Sequence, residues 1–137
     1  MIIRQFKPGD ESAVIALWNE CGLTRSWNDP AKDIAFAIDG PSSTILVLED
    51  ARNILGAVMV GHDGHRGALY YFGVAPSHQG QGLARKLHEA AESWLRQNGV
   101  WKINLLVRGE NEKVAAIYEA MGYERQNVLS LGKRIDQ

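Results

Sequence analysis

A single cysteine, Cys21, stands among the 137 residues, so no internal disulfide can form and a four-cysteine zinc site is excluded. Neither sign of charge dominates: fifteen Lys and Arg face sixteen Asp and Glu, leaving a net charge of −1. That balance argues against a protein that lives on nucleic-acid phosphates. No apolar run approaches the ~18 residues that would suggest a membrane span. The opening Met1-Ile2-Ile3-Arg4-Gln5-Phe6-Lys7-Pro8 lacks the apolar stretch of a secretory signal. Prolines are few, and the four, at 8, 30, 41 and 76, all read as boundaries between elements. The expectation is a reduced, cytoplasmic chain that folds as one domain over 1–137, apolar enough for a core without staples.

What is present is a pattern that changes period along the chain. Residues 2–6 read as a short strand. Asp10 offers an N-cap, and Val14, Leu17, Trp18 and Cys21 follow at helical spacing until Gly22. Asp29-Pro30 opens a second helix, the acid as cap and the proline in the first turn, running to about Asp39-Gly40-Pro41. Runs at 44–48, 54–60 and 68–75, joined by Asp50-Ala51-Arg52-Asn53 and by the glycine-punctuated 61–67, look like an antiparallel meander. Leu83, Leu87, Ala90, Ala91, Trp94 and Leu95 then form one helical stripe ending near Asn98-Gly99. A buried-type strand is expected at 102–107, a helix from about Asn111 to Met121, and two short strand-like pieces within 123–135. The strands at 68–75 and 102–107, joined through a helix, should run parallel. The order β-α-α-β-β-β-α-β-α-β-β describes an α+β domain, a mixed sheet with helices on both faces.

The stretch that carries chemistry is Val74-Ala75-Pro76-Ser77-His78-Gln79-Gly80-Gln81-Gly82-Leu83-Ala84-Arg85. A strand ends at Pro76 and a long helix opens around Gly80, with few side chains between them to obstruct the backbone. Consecutive N–H groups at a helix N-terminus favour an anion, and a phosphate or pyrophosphate could bind there through main chain alone. A tight strand-to-helix turn that simply needs glycine is the plainer alternative. A P-loop is excluded because no lysine follows the glycines. The dinucleotide fingerprint fails as well. Its third small residue is replaced by Arg85, and Val107 and Arg108 stand where it wants an acid about twenty residues on.

Gln79-Gly80-Gln81-Gly82-Leu83-Ala84 resembles the Gln/Arg-x-x-Gly-x-Gly/Ala loop that holds the acetyl-CoA pyrophosphate in the GNAT superfamily of N-acetyltransferases. Gly73-Val74-Ala75-Pro76 matches the lead-in to that loop, and Asn111, Tyr118 and Gly122-Tyr123 match a downstream segment. The element order is also that of the family, and the resemblance covers essentially the whole chain. Leu17-Trp18, Trp27-Asn28-Asp29-Pro30 and the 61–67 loop further resemble a small bacterial YpeA-like subgroup.

The resemblance implies an acetyl-CoA-dependent N-acetyltransferase that transfers the acetyl group to a primary amine. Backbone groups of Phe72, Gly73 and Val74 would pair with the pantetheine arm, and the N–H groups of Gln79, Gly80, Gln81, Gly82, Leu83 and Ala84 would hold the diphosphate. Asn111 matches a residue that fixes the pantetheine or the following helix, and a helix N-cap is its other reading. The Val74 N–H would serve the oxyanion. Tyr118 would donate to the departing thiolate, since a phenol titrating near 10 is still protonated where a thiol near 8.5 is leaving. Its alternative is a core aromatic sharing a face with Val114 and Met121.

Some relatives place a glutamate base where this chain has Ala68 and Leu106; Leu106 in particular argues against a reading as a ribosomal-protein N-terminal acetyltransferase. Tyr70, Tyr71, His65, Glu49 or a water chain remain as bases. Trp27 and Tyr70 are the candidates for acceptor binding. His62, Asp63 and His65 read as a turn rather than a metal site, and no metal is expected. Trp18, Trp94 and Trp101 read as packing residues, and Cys21 as a buried thiol. The expected partners are acetyl-CoA and an amine acceptor, without nucleic acid or membrane, in a monomer or homodimer. A non-catalytic acyl-CoA-binding module is the alternative reading, and an interaction domain whose glycine loop is only a turn is a third.

Overall fold

The computed structural model describes residues 1–136 and separates the chain into two compact units, the first spanning Met1–Asn104 and the second beginning at Leu105. In the first unit, β1 (Ile2–Gln5), β2 (Ser43–Asp50), β3 (Asn53–His62) and β4 (Gly67–Val74) form an antiparallel sheet in that spatial order. Strand β2 is buried along most of its length, as expected of a strand covered on both faces, and its central run Ile45-Leu46-Val47-Leu48 is continuously apolar for that reason. Its hairpin to β3 turns at Ala51 and Arg52, both at positive φ (49° and 71°), the geometry that matches the twist of paired strands.

Helices α1 (Glu11–Glu20) and α2 (Pro30–Ile38) cover one face. There Val14, Leu17, Trp18, Ile34 and Ala37 pack with Ile45, Val47 and Ala57. Each large side chain fully buried here contributes roughly 1.5–3 kcal/mol. Asp29 caps α2 as its sequence suggests, its carboxylate accepting from the Lys32 N–H at 3.3 Å. Asp10 does not cap α1. Its carboxylate accepts instead from the Lys7 N–H at 2.7 Å and from Arg4 at 2.8 Å, so it closes the 3-10 turn Pro8–Asp10 against β1.

The other face is covered by α3 (Leu83–Gln97), whose Leu83, Leu87, Ala91 and Leu95 are buried as the stripe predicts. Leu83 packs with Leu48, Leu55 and Val74 at the end of β4. A Cβ on Gly67, at the start of β4, would lie 2.8 Å from Leu95 Cδ1, so the last turn of the same helix sits against the glycine.

The strand expected at 102–107 is reduced to one parallel bridge, Gly67 with Ile103, made by Gly67 N–H to Lys102 O and Asn104 N–H to Gly67 O, both 2.9 Å. In the first unit the named sheet therefore ends at β4 and is antiparallel throughout. The second unit holds α4 (Glu112–Ala120). Among its described residues the tail from 123 carries no strand, and Val128, Leu129, Leu131 and Ile135 are exposed. An alternating sequence forms a strand only where a ladder receives it. Among the described residues no helix is long and apolar enough to cross a membrane.

Candidate active site

Strand β4 is irregular in its middle. Its register with β3 shifts between Ala57 and Met59, so that Tyr71 and Phe72 together oppose Val58. Tyr71 occupies the left-handed region at φ 51°, a conformation that costs a bulky residue on the order of 1–2 kcal/mol. Two contacts hold it there. Its ring stacks on the buried Trp18 at 4.2 Å, and its hydroxyl donates to Asp33 Oδ2 at 2.6 Å. Burial, with the Asp33 hydrogen bond second, pushes the phenol well above its usual range, in keeping with a hydroxyl that donates to Asp33.

Beyond the bulge, Ala75 N–H donates to Leu55 O of β3 at 2.7 Å. Since amide groups alternate in direction along a strand, the N–H and C=O of Val74 face away from β3. The partners of the Val74 carbonyl agree: it accepts from Gln79 Nε2 at 3.0 Å and from Cys21 Sγ at 3.4 Å. Gly73 has a steric reason to be glycine, because a Cβ there would lie 3.0 Å from both Cys21 Sγ and Leu23 Cδ1. Burial raises the Cys21 thiol above its ordinary value, consistent with a packing role.

After the 3-10 turn Pro76–His78, the chain reverses through Gly80 and Gly82, each at φ 79°. A Cβ at either glycine would meet nothing within 4 Å, so the turn needs glycine for its dihedrals and leaves its surface open. Helix α3 begins at Leu83, three residues later than its expected start, with Lys86 N–H to Gly82 O at 3.2 Å as the first bond of the ladder. The N–H groups of Leu83, Ala84 and Arg85 thus belong to its first turn, at the positive end of the dipole. The Leu83 side chain is buried and that of Ala84 half-buried, so these residues could hold an anion only through main chain.

The remaining candidates fall in different places. Tyr70 and Trp27 are 51% and 58% exposed. Phe72, half-buried, stacks against His88 of α3 with ring centroids 6.3 Å apart. Glu49 is held by Arg4, whose Nε donates to it at 2.6 Å on the β1–β2 pair. In the 61–67 loop, His62 Nδ1 accepts from Gly64 N–H and Asp63 Oδ1 from His65 and Arg66 N–H, as a turn requires. Arg66 lies over the Trp101 ring at 4.3 Å, and Trp101, 77% exposed, is not a core residue. In the second unit, Asn111 holds the N-cap position of α4 without a side-chain cap bond. Tyr118, half-buried on α4, meets Tyr123 edge-on at 5.4 Å, and burial raises its phenol above 10. Asp33 was missed in the sequence, where an acid in the first turn of a helix is already accounted for by the dipole; only the crowding of Leu69-Tyr70-Tyr71-Phe72 hinted at the bulge.

Residues 12–123 match the Acetyltransferase (GNAT) family. An acetyltransferase of Sodalis glossinidius is 46% identical over 136 residues, covering 98% of this chain and 96% of the relative. The chain belongs to the GNAT acetyltransferases. Among solved structures, the aminoglycoside 6'-N-acetyltransferase AAC(6')-Ig of Acinetobacter haemolyticus superposes with a TM-score of 0.81 at 18% identity, covering 99% of this chain and 100% of that one. AAC(6')-Iy, solved with a CoA-linked acetylneamine bisubstrate analogue, gives 0.82 at 18% identity with 98% of each chain covered. These two likenesses establish the GNAT fold. The family match also sets the glycine turn, the outward Val74 amide and the end of the sheet at β4 within an acetyltransferase.

Proposed function

We propose that this GNAT protein transfers an acetyl group from acetyl-CoA to a primary amine by direct attack on the thioester. The observation that carries the reading is the open Gly80–Gly82 turn at the start of α3, latched to β4 by the 3.0 Å bond from Gln79 to Val74. Backbone N–H groups of Gln79, Gly80, Gln81, Gly82, Leu83 and Ala84 receive the diphosphate. Phe72 and Val74, on the last strand of the sheet, offer their backbone to the pantetheine arm as a neighbouring strand would, while the Gly73 amide, in register with Ala57, faces β3 and contributes by its lack of a side chain.

The neutral amine nitrogen attacks the thioester carbon, and its oxygen becomes an oxyanion that the Val74 N–H stabilises. As the C–S bond breaks, the sulfur leaves as a thiolate that takes a hydrogen bond from the Tyr118 hydroxyl; where the proton itself crosses, water returns one to the phenolate, so the proton lost by the amine is balanced by the one gained by the thiol. Water carries away the proton lost by the amine. Asn111 supports the pantetheine end, and Trp27 and Tyr70 meet the acceptor.

The test is a thermal shift with saturating acetyl-CoA, with free CoA and NAD as controls. At 100 times the dissociation constant, binding adds about 2.7 kcal/mol, a rise on the order of 10 °C for a chain of this size. A rise with acetyl-CoA and none with NAD supports the reading, as does CoA release on adding amines. Binding without release across a broad amine panel assigns the fold to a binding module instead, and no shift at millimolar acetyl-CoA overturns both.

A further inference from the structure

The bulge in β4 decides which amide of the strand is turned outward. One extra residue in a strand inverts the alternation of everything that follows. Because Tyr71 and Phe72 share one partner position, Gly73 returns to register with Ala57 and Ala75 donates to Leu55, which leaves Val74 as the outward amide. The bulge is held on its Tyr71 side by α1 and α2 and not by the sheet. Trp18 stacks on the ring from α1, and Asp33 accepts the hydroxyl from α2.

The Asp33–Tyr71 bond is the one polar link in this set. No cation pairs with Asp33 among the described residues, whereas the half-buried Asp10 and Glu49 are both bound to Arg4 and Glu92 to His88 and Arg96. A half-buried carboxylate committed to a single hydroxyl gives that hydroxyl a strong, directional acceptor. Removing it frees a residue that already stands in a disfavoured backbone conformation.

We infer that Asp33 is a positioning residue: through the Tyr71 hydroxyl it holds the β4 bulge in phase and so aims the Val74 N–H. The inference rests on the role proposed above for that N–H, but its geometric half stands apart from catalysis. Asp33 touches no reacting atom in this scheme. It acts on the oxyanion donor through Tyr71 and three residues of strand.

The experiment compares Tyr71→Phe, Asp33→Ala and Asp33→Asn with the unaltered chain. Asn retains a carbonyl oxygen to accept from the hydroxyl. Valine-selective 15N labelling reads the Val74 amide, calorimetry reads CoA affinity, and thiol release reads turnover with hydroxylamine, a small nucleophile that needs little of an acceptor pocket. Tyr71→Phe and Asp33→Ala should each move the Val74 resonance and lower kcat about tenfold, with KM for acetyl-CoA changed less than about twofold. The double variant should be no worse than either single one, and Asp33→Asn should stay near the original in both readouts. An unmoved Val74 resonance in the two disrupting variants overturns the proposal, as does a kcat loss in them that Asp33→Asn shares in full. If the unaltered chain neither binds CoA nor releases thiol, the acetyltransferase reading falls, while the Val74 resonance still decides whether the bond sets the strand.

Discussion

Gln79 reaches back across the turn to donate its side-chain amide to the Val74 carbonyl at 3.0 Å. The residue that opens the glycine turn therefore also fastens it to the end of β4.

Replacing Gln79 with Ala unfastens the turn without touching the core. Loss of one such hydrogen bond is worth about 1 kcal/mol, so the dissociation constant for CoA should rise about five- to tenfold. Calorimetric titration with CoA checks this, and the melting temperature of the free protein should hardly change, because Gln79 is exposed.

Tyr118→Phe should lower turnover far more than CoA affinity. Burial raises the phenol above 10, so the protonated donor persists throughout the neutral and mildly alkaline range. With the original residue, no loss of kcat attributable to Tyr118 should appear until the pH exceeds about 10. A kcat profile of both proteins tests this, and an unchanged rate in the Phe variant would remove Tyr118 from the mechanism.

Gly73→Ala forces a methyl group to within 3.0 Å of Cys21 Sγ and Leu23 Cδ1. Overpacking of this kind costs roughly 1–3 kcal/mol, measurable as a lower denaturant midpoint at unchanged m-value. Adding Cys21→Ala should recover part of that loss, since it removes one of the two crowding atoms.

The Arg4–Asp10 pair predicts an acid-sensitive contribution to stability. Its hydrogen bond from Arg4 holds the Asp10 carboxyl below its usual value. A group with a depressed folded pKa stabilises above its unfolded pKa, near 3.9, and loses that contribution as pH falls through the folded value. Asp10→Asn should therefore cost about 1–2 kcal/mol near neutrality and give a shallower acid limb, read from denaturation at a series of pH values.

The local signals legible in the sequence were those that depend on near neighbours. Asp29-Pro30 marked a helix start because cap and first turn are adjacent, and Leu83, Leu87, Ala91 and Leu95 marked a buried face by spacing alone. The glycine turn was legible for the same reason. Asp10 misled because its carboxylate had a better partner in Arg4, six residues away and across a turn. The runs at 102–107 and after 123 misled because strand propensity does not supply a ladder; Ile103 found one parallel bridge and the tail none among its described residues. Tyr71 and Asp33 lie 38 positions apart, and a bond between them follows only from how α2 crosses the sheet.

Helix α3 is fixed to β4 twice, by Leu83 beside Val74 and by Leu95 against Gly67. Such a doubly anchored pair opens as a single cooperative block, so amide protons in the middle of α3 should exchange with solvent only at the rate of whole-unit unfolding. The turn between the anchors carries no core side chain from Gln79 to Gly82 and is free to open locally at far lower cost. Hydrogen exchange should therefore show a short run of fast amides at the turn, set between a strand and a helix whose amides exchange slowly.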